Sequence, residues 1–176
     1  VMNKVSVQQA KDMLGVMVGA GKVNGKQLIR PWFWGPPGVG KSALVQQYCD
    51  SQKIHMIDLR VSQLEPSDLM GLPFAEKGET CYLPPKFMPK DGKGILFLDE
   101  ANRGRRDITN AIFQLIYDGR CGEYVLPEHW YIVTAGKYGF ADGTSEVIVV
   151  RNNILAPSFS LTRTSSVAVP TDAEPL

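Results

Sequence analysis

The chain has 176 residues, 44% of them apolar, which supplies the length and the core material for one compact domain and excludes two. Its 19 basic and 18 acidic residues leave a formal charge of +1, so there is no overall field to draw it onto nucleic acid or anionic lipid. No apolar run approaches the ~20 residues that cross a bilayer, and the opening VMNKVSVQQAKDML lacks the apolar core of a secretory signal, so the sequence reads as soluble and cytoplasmic, with no membrane partner.

Val7, Ala10, Leu14, Met17 and Val18 recur at three and four residues. This spacing predicts a helix over 6–20, opened by a capping box of Ser6 and Gln9 and closed at Gly19 and Gly21. After a polar stretch, the apolar run 28–34 stops at Gly35, as a buried strand feeding a glycine-rich turn does, with Pro31 expected at its start. Residues 42–52 place Leu44, Val45, Tyr48 and Cys49 on one helical face, and 54–61 reads as a second strand. Between 62 and 93 five prolines punctuate short pieces, for which a short helix from Pro66 and a loose hairpin are expected.

The run GILFLDE, residues 94–100, is a buried strand ending in two acids. A helix follows with Ile108, Ala111, Ile112, Leu115 and Ile116 inward and Gly119 as its C-cap. CGEYVLP suggests a small hairpin, WYIVTA another buried strand ending at Gly136, and EVIVV (146–150) a last one. Strands alternating with helices, joined by connections long enough for crossovers, predict an α/β fold with a parallel sheet covered on both faces. Ligands then belong at the C-terminal ends of the strands. The chain divides into a core of 1–150 and a loosely ordered tail of 151–176 rich in Ser, Thr and Pro.

GPPGVGKS, residues 35–42, fits the phosphate-loop pattern GxxxxGK[ST] and lies between a predicted strand and a predicted helix, as that pattern requires. Glycines at 35, 38 and 40 let backbone N–H groups converge on phosphate oxygens where side chains would obstruct them. The helix after the loop adds its positive N-terminal end. The candidate nucleotide-binding set is Gly35, Pro36, Pro37, Gly38, Val39, Gly40, Lys41, Ser42 and Ala43. Lys41 is expected on the β- and γ-phosphates and the Ser42 hydroxyl on Mg2+. Some sixty residues on, Asp99 and Glu100 end an apolar strand, and a parallel sheet delivers them to the same edge as the loop. There Asp99 can hold Mg2+ and Glu100 can orient or deprotonate an attacking water. The three cysteines, Cys49, Cys81 and Cys121, and the two histidines, His55 and His129, lack the spacing of a metal site or a disulfide framework and are expected to be structural.

Together GPPGVGKS, DLRVSQLEPSDLMGLP, LPPKFMP and GILFLDEANRG, spread over about 32–136, resemble the AAA+ ATPases and their MoxR-like branch, including its bacteriophage and plasmid members. The resemblance implies a three-layer α/β/α P-loop fold with a mostly parallel five-stranded sheet of order 5-1-4-3-2. It implies ATP or ADP with Mg2+ as ligands, a homo-oligomeric ring, usually a hexamer, and ATP-driven remodelling or chaperone-like work on a partner protein. Lys41 and Ser42 match the Walker A residues, and Asp99 and Glu100 the Walker B pair. The family's polar sensor, usually asparagine, falls at Lys137, which is either a partial substitute or a solvated surface residue, with Thr134 as the alternative if the strand register differs. After Lys137 too few residues remain for the family's further helix, arginine finger, fifth strand and helical lid together. The lid is therefore expected to be absent or incomplete. EVIVV is the candidate fifth strand, and Arg163 in APSFSLTR a candidate finger. Arg103, Arg105 and Arg106 either face a neighbouring subunit or are simply solvated, and Arg103 is carried as the catalytic candidate among them. Three other functions fit less of the sequence: a nucleotide-held switch or assembly subunit with little hydrolysis, a DNA-directed motor or loader, which the neutral charge does not support, and a small-molecule kinase, which the Asp-Glu pair disfavours.

Overall fold

The computed structural model describes residues 4–137 and 147–153. Its sheet holds six strands: β1 (Lys4–Val5), β2 (Ile29–Trp34), β3 (His55–Arg60), β4 (Gly94–Asp99), β5 (Trp130–Gly136) and β6 (Val147–Asn153). They lie in the order β1-β6-β2-β5-β4-β3. β2, β5, β4 and β3 are parallel, whereas β6 runs antiparallel to β2 and the two-residue β1 antiparallel to β6. Counted from the loop strand, the five strands other than β1 follow the expected order 5-1-4-3-2. Two details differ from expectation. A sixth strand, β1, flanks the fifth, and the fifth occupies Val147–Asn153, so that three residues assigned to the tail belong to the sheet. Residues 154–176, including Arg163, lie outside the described residues.

Strand alternation divides the apolar residues between two cores. Phe33, Ile95, Phe97, Val133 and Ala135 face helices α1 (Val7–Gly19) and α2 (Lys41–Gln52), meeting Ala10, Leu14, Leu44, Val45 and Cys49. Trp32, Leu96, Leu98 and Ile132 face the other way, onto Ile108, Ile112, Leu115 and Ile116 of α4 (Arg106–Asp118). A sheet buried on both faces needs apolar residues at every position, which is why 94–98 is an uninterrupted apolar run. The capping box at Ser6 and Gln9 starts α1, and Gly119, at φ 66°, ends α4. A short helix α3 (Pro66–Met70) and a hairpin pairing Leu72–Glu76 with Glu79–Leu83 fill the segment between β3 and β4.

Pro31 lies three residues into β2 and not at its start. Its parallel pairing with β5 begins only at Trp32 opposite Thr134. Extending that register backwards would set the Ile132 carbonyl against the N–H that Pro31 lacks. Gln27 fills the gap with its side chain: Nε2 donates to the Ile132 carbonyl at 3.1 Å, and Oε1 accepts from the Ile132 N–H at 2.8 Å. Gln27 is delivered by a hairpin, Lys22–Val23 with Lys26–Gln27. Asn24 and Gly25 turn it at φ 51° and 74°. Next along the chain Arg30, 2% exposed, donates to the carbonyls of Ile116 and Tyr117 at 2.6 and 2.8 Å, tying the start of β2 to the end of α4.

Gly136 faces Trp34 across the sheet, and a Cβ there would come within 2.3 Å of the indole ring. Gly136→Ala is expected to cost about 1–3 kcal/mol of stability through overpacking. Gln27→Leu, which strands both polar groups of Ile132 in the core, is expected to cost about the same per unpaired group. Chemical denaturation of the two variants measures both.

Candidate functional site

Period-two alternation decides which residues meet at the strand ends. On β4, Ile95 and Phe97 face α2, so Asp99 does as well; on β5, Val133 and Ala135 face α2, and Lys137 is next in that series. On β2 the series runs from Phe33 to Gly35, where the loop begins. Three neighbouring strands thus bring Gly35, Lys137 and Asp99 to one edge, on the face carrying α2. That helix opens with Lys41 and Ser42, directly after Gly40 at φ 93°.

The loop bends through Gly38, at φ 79°, and Gly40, and a Cβ built on either would meet nothing within 4 Å. The backbone there is open, as an approaching phosphate needs. Lys41 is 6% exposed and folds back over the loop, donating to the carbonyls of Gly35 and Pro36 at 2.9 Å each. Burial pulls its ammonium below the ordinary lysine range; Asp99 and Glu100 oppose that shift, and Lys137 adds to it. Asp99 Oδ1 accepts from the Glu100 N–H at 2.8 Å. Along the neighbouring strand, Asp58 is held above the usual carboxylate range by burial and by Asp99, with Arg60 working against both.

Glu100 leaves the strand in a left-handed turn at φ 55°, and both of its carboxylate oxygens are engaged. Lys137 Nζ is ion-paired with Oε1, and Ser62 Oγ donates to Oε2. The hydrogen bond from Lys137, and then that from Ser62, hold its carboxyl below the usual carboxylate range. The side chains of Lys137 and Glu100 are 21% and 14% exposed, so this pair is shielded from water. Lys137 is gripped in turn by Asn102, whose Nδ2 donates to the Lys137 carbonyl at 3.0 Å while Oδ1 accepts from the Lys137 N–H at 3.2 Å.

The remaining candidates stand apart from this cluster. Thr134 is buried inside β5 opposite Trp32 and Leu98, on the α4 side, and its hydroxyl has no hydrogen-bond partner among the described residues. Arg103 and Arg106 are exposed, and Arg105 is committed within the chain to Glu65 and Asp107 at 3.3 and 3.0 Å. Cys49 and Cys121 are buried free thiols and Cys81 is partly buried. Sequence reasoning missed Ser62 and Asn102. The signal for Ser62 was the parallel pairing of Arg60 with Asp99, which sets whatever follows β3 beside whatever follows β4. Asn102 stands only two residues beyond Glu100, in a single helical turn over Ala101–Arg103.

A family model described as the AAA domain of the dynein-related subfamily matches residues 32–153, from β2 through β6. The chain belongs to this AAA family. Among solved structures, this AAA domain is similar to Hsp104 in a closed-state complex with ATPγS and casein, at a TM-score of 0.53 and 18% identity over 76% of the chain and 26% of Hsp104. A RuvB mutant of Thermotoga maritima matches at 0.47 and 19% over 74% of the chain and 39% of RuvB. NtrX of Brucella abortus with ATP matches at 0.48 and 15% over 76% of the chain and 28% of NtrX. The likeness to Hsp104 shows the P-loop fold, and the chain spans well under half the length of each of these structures. No match was found among curated proteins. No helix among the described residues is long and apolar enough to cross a membrane.

AAA domains are nucleotide-binding ATPase modules, and the glycine loop here offers open backbone at Gly38 and Gly40 with the Lys41 ammonium folded back over it. Lys41→Ala, which removes a charged donor from that loop, is expected to weaken ATP binding at least about tenfold, since hydrogen bonds from charged groups contribute about 1.5–3 kcal/mol. Isothermal titration of the variant against the parent protein checks this.

Proposed function

We propose that this AAA domain is a MoxR-like ATPase that hydrolyses Mg-ATP to ADP and phosphate and drives the remodelling of a partner protein from within a ring of like subunits. The observation that carries the reading is the meeting of Asp99, Glu100 and Lys137 with the glycine loop and Lys41 at one sheet edge. In this reading the backbone N–H groups of 35–43 wrap the phosphates, and Lys41 leaves the Gly35 and Pro36 carbonyls for the β- and γ-phosphate oxygens. Ser42 and Asp99 would hold Mg2+. Their oxygens suit a hard cation, and Asp99 keeps Oδ2 for it while Oδ1 takes the Glu100 N–H. The bound ion would neutralise charge between the β- and γ-phosphates. Glu100 accepts a hydrogen bond from the attacking water and draws off its proton as the water adds in line to the γ-phosphorus and the bond to the β,γ-bridging oxygen breaks, releasing ADP. Lys137 stands where the family places its sensor and can donate to phosphate, though it cannot accept. Arg103, with Arg106 beside it, is exposed and available to a neighbouring subunit's nucleotide.

A second reading has its own observation. With both oxygens of Glu100 occupied, the domain as it stands suits a nucleotide-held switch or assembly subunit with little turnover.

Steady-state phosphate release from Mg-ATP across a range of protein concentrations, beside binding of the same nucleotide, separates the two. The ATPase reading expects turnover per subunit to rise with concentration and Glu100→Gln to bind ATP while losing about 100-fold or more in rate. Saturated binding with no release at any concentration overturns it in favour of the switch. Loss of a trans arginine costs a P-loop enzyme roughly 10³–10⁵ in turnover. Arg103→Ala is therefore expected to suppress the concentration-dependent rate and leave nucleotide affinity unchanged.

A further inference from the structure

Strand β3, at the edge of the sheet, puts one more acid on the face that carries the glycine loop. In its parallel register with β4, Met56 stands opposite Ile95, Asp58 opposite Phe97 and Arg60 opposite Asp99. Met56, Ile95 and Phe97 all pack on the α2 side, so Asp58 and Asp99 share that face, on neighbouring strands and one pleat apart. The neighbouring positions at the level of Asp58 are apolar, Phe97 on β4 and Val133 on β5. The side chain of Asp58 is exposed and takes no hydrogen bond from the described residues, and two carboxylates at this diagonal spacing repel each other. Arg60, opposite Asp99, offsets part of that repulsion through its charge without pairing directly with Asp58.

A hydrated divalent cation would offset the rest. Mg2+ sheds water reluctantly and is commonly bound through one or two carboxylates with several waters kept, and those waters need acceptors. In the ATPase reading Ser42 and Asp99 hold the ion, yet Asp99 has only Oδ2 free for it, because Oδ1 takes the Glu100 N–H. We propose that Asp58 is a positioning residue for this ion, its carboxylate accepting hydrogen bonds from water bound to the Mg2+ at Ser42 and Asp99. The assignment deepens the ATPase reading and rests on it. Asp58 touches neither phosphate nor metal; it orients the hydrated ion and adds a negative charge that favours a cation beside the phosphates. The same charge works against a nucleotide that arrives without its metal.

The coupling between Mg2+ and nucleotide tests this without turnover. Affinity of the full chain for ATPγS is measured in saturating Mg2+ and in chelator, for the parent, Asp58→Asn, Asp58→Glu and Asp50→Asn. The ratio of the two affinities is the enhancement due to the metal. Loss of a group that orients a metal's bound ligands typically costs about 10–100-fold in metal affinity, so Asp58→Asn is expected to cut the enhancement about tenfold while metal-free affinity stays the same or rises. Asp58→Glu keeps the charge and is expected to recover most of the enhancement. Asp50→Asn removes an exposed acid of α2 that is bonded to Gln46 and is expected to match the parent. If Asp58 only balances Arg60, its loss changes metal-free and Mg2+-supported binding by the same factor, and that result overturns the assignment. Metal-free ATPγS affinity reports that each variant is folded, and Asp58→Ser replaces Asp58→Asn if that one fails. A parent protein that binds no nucleotide overturns the assignment together with the ATPase reading, whereas nucleotide binding with the same enhancement in parent and Asp58→Asn overturns the assignment alone.

Discussion

The site depends on the parallel register of β2, β5, β4 and β3. Because these strands share a direction, all of them end at one edge, and because side chains alternate, the same face of each continues past that edge. Asp99, Lys137 and Gly35 are therefore extensions of three core series, Ile95–Phe97, Val133–Ala135 and Phe33. A slip of one residue in any strand would send its contribution to the α4 face, among Leu98, Thr134 and Trp34. The bulky pairing of Trp34 with Gly136 on that opposite face works against such a slip, since the ring fits only where no side chain opposes it.

Electrostatics at the edge follow from this crowding. Desolvation alone would disfavour every charge there, and the site answers it by pairing. Lys41 is satisfied by carbonyls, Asp99 by a backbone N–H, and Glu100 by an ammonium and a hydroxyl. The result is a set of charged groups each held by a partner that a phosphate, a cation or a water could displace. Polar contacts of this kind keep the pocket organised before any ligand arrives, and pre-organisation is what makes transition-state stabilisation effective.

Much of this was legible in the residues. The apolar runs at 28–34, 94–98 and 130–135 fit buried strands, being short and bounded by turn residues, and GPPGVGKS announced both the turn and the helix behind it. The charged pair Asp99 and Glu100 was readable only beside the glycine loop, since a buried strand ending in two acids is common and alone says little. What escaped was whatever depends on one side chain acting in place of backbone or across elements. Gln27 looks like a surface residue in a polar stretch, although the Asn24-Gly25 pair marked the hairpin that delivers it. Pro31 was expected at a strand start because the loss of its N–H is cheapest there, and Gln27 is the reason it is tolerated further in. Lys137 was left open between a sensor and a solvated residue, since spacing gives its position and says nothing about its partner. Ser62 and Asn102 are ordinary polar residues whose importance arises only when β3 and the turn after β4 are brought beside them.

The strand that carries the phosphate loop has an uneven set of neighbours. With β5 it shares three register pairs, from Trp32 to Trp34, while with β6 it shares six, joining Ile29 to Asn153 and Trp34 to Ile148. Most of the ladder that steadies β2 thus comes from the far end of the described chain, across a long loop whose closure must precede any gain from pairing. Contacts this distant in sequence form slowly and late. During synthesis the loop, its lysine and the helix behind it would leave the ribosome well before their principal support exists. The glycine loop is thus made before the strand that supplies most of the ladder beside it, and completed only after that strand has paired.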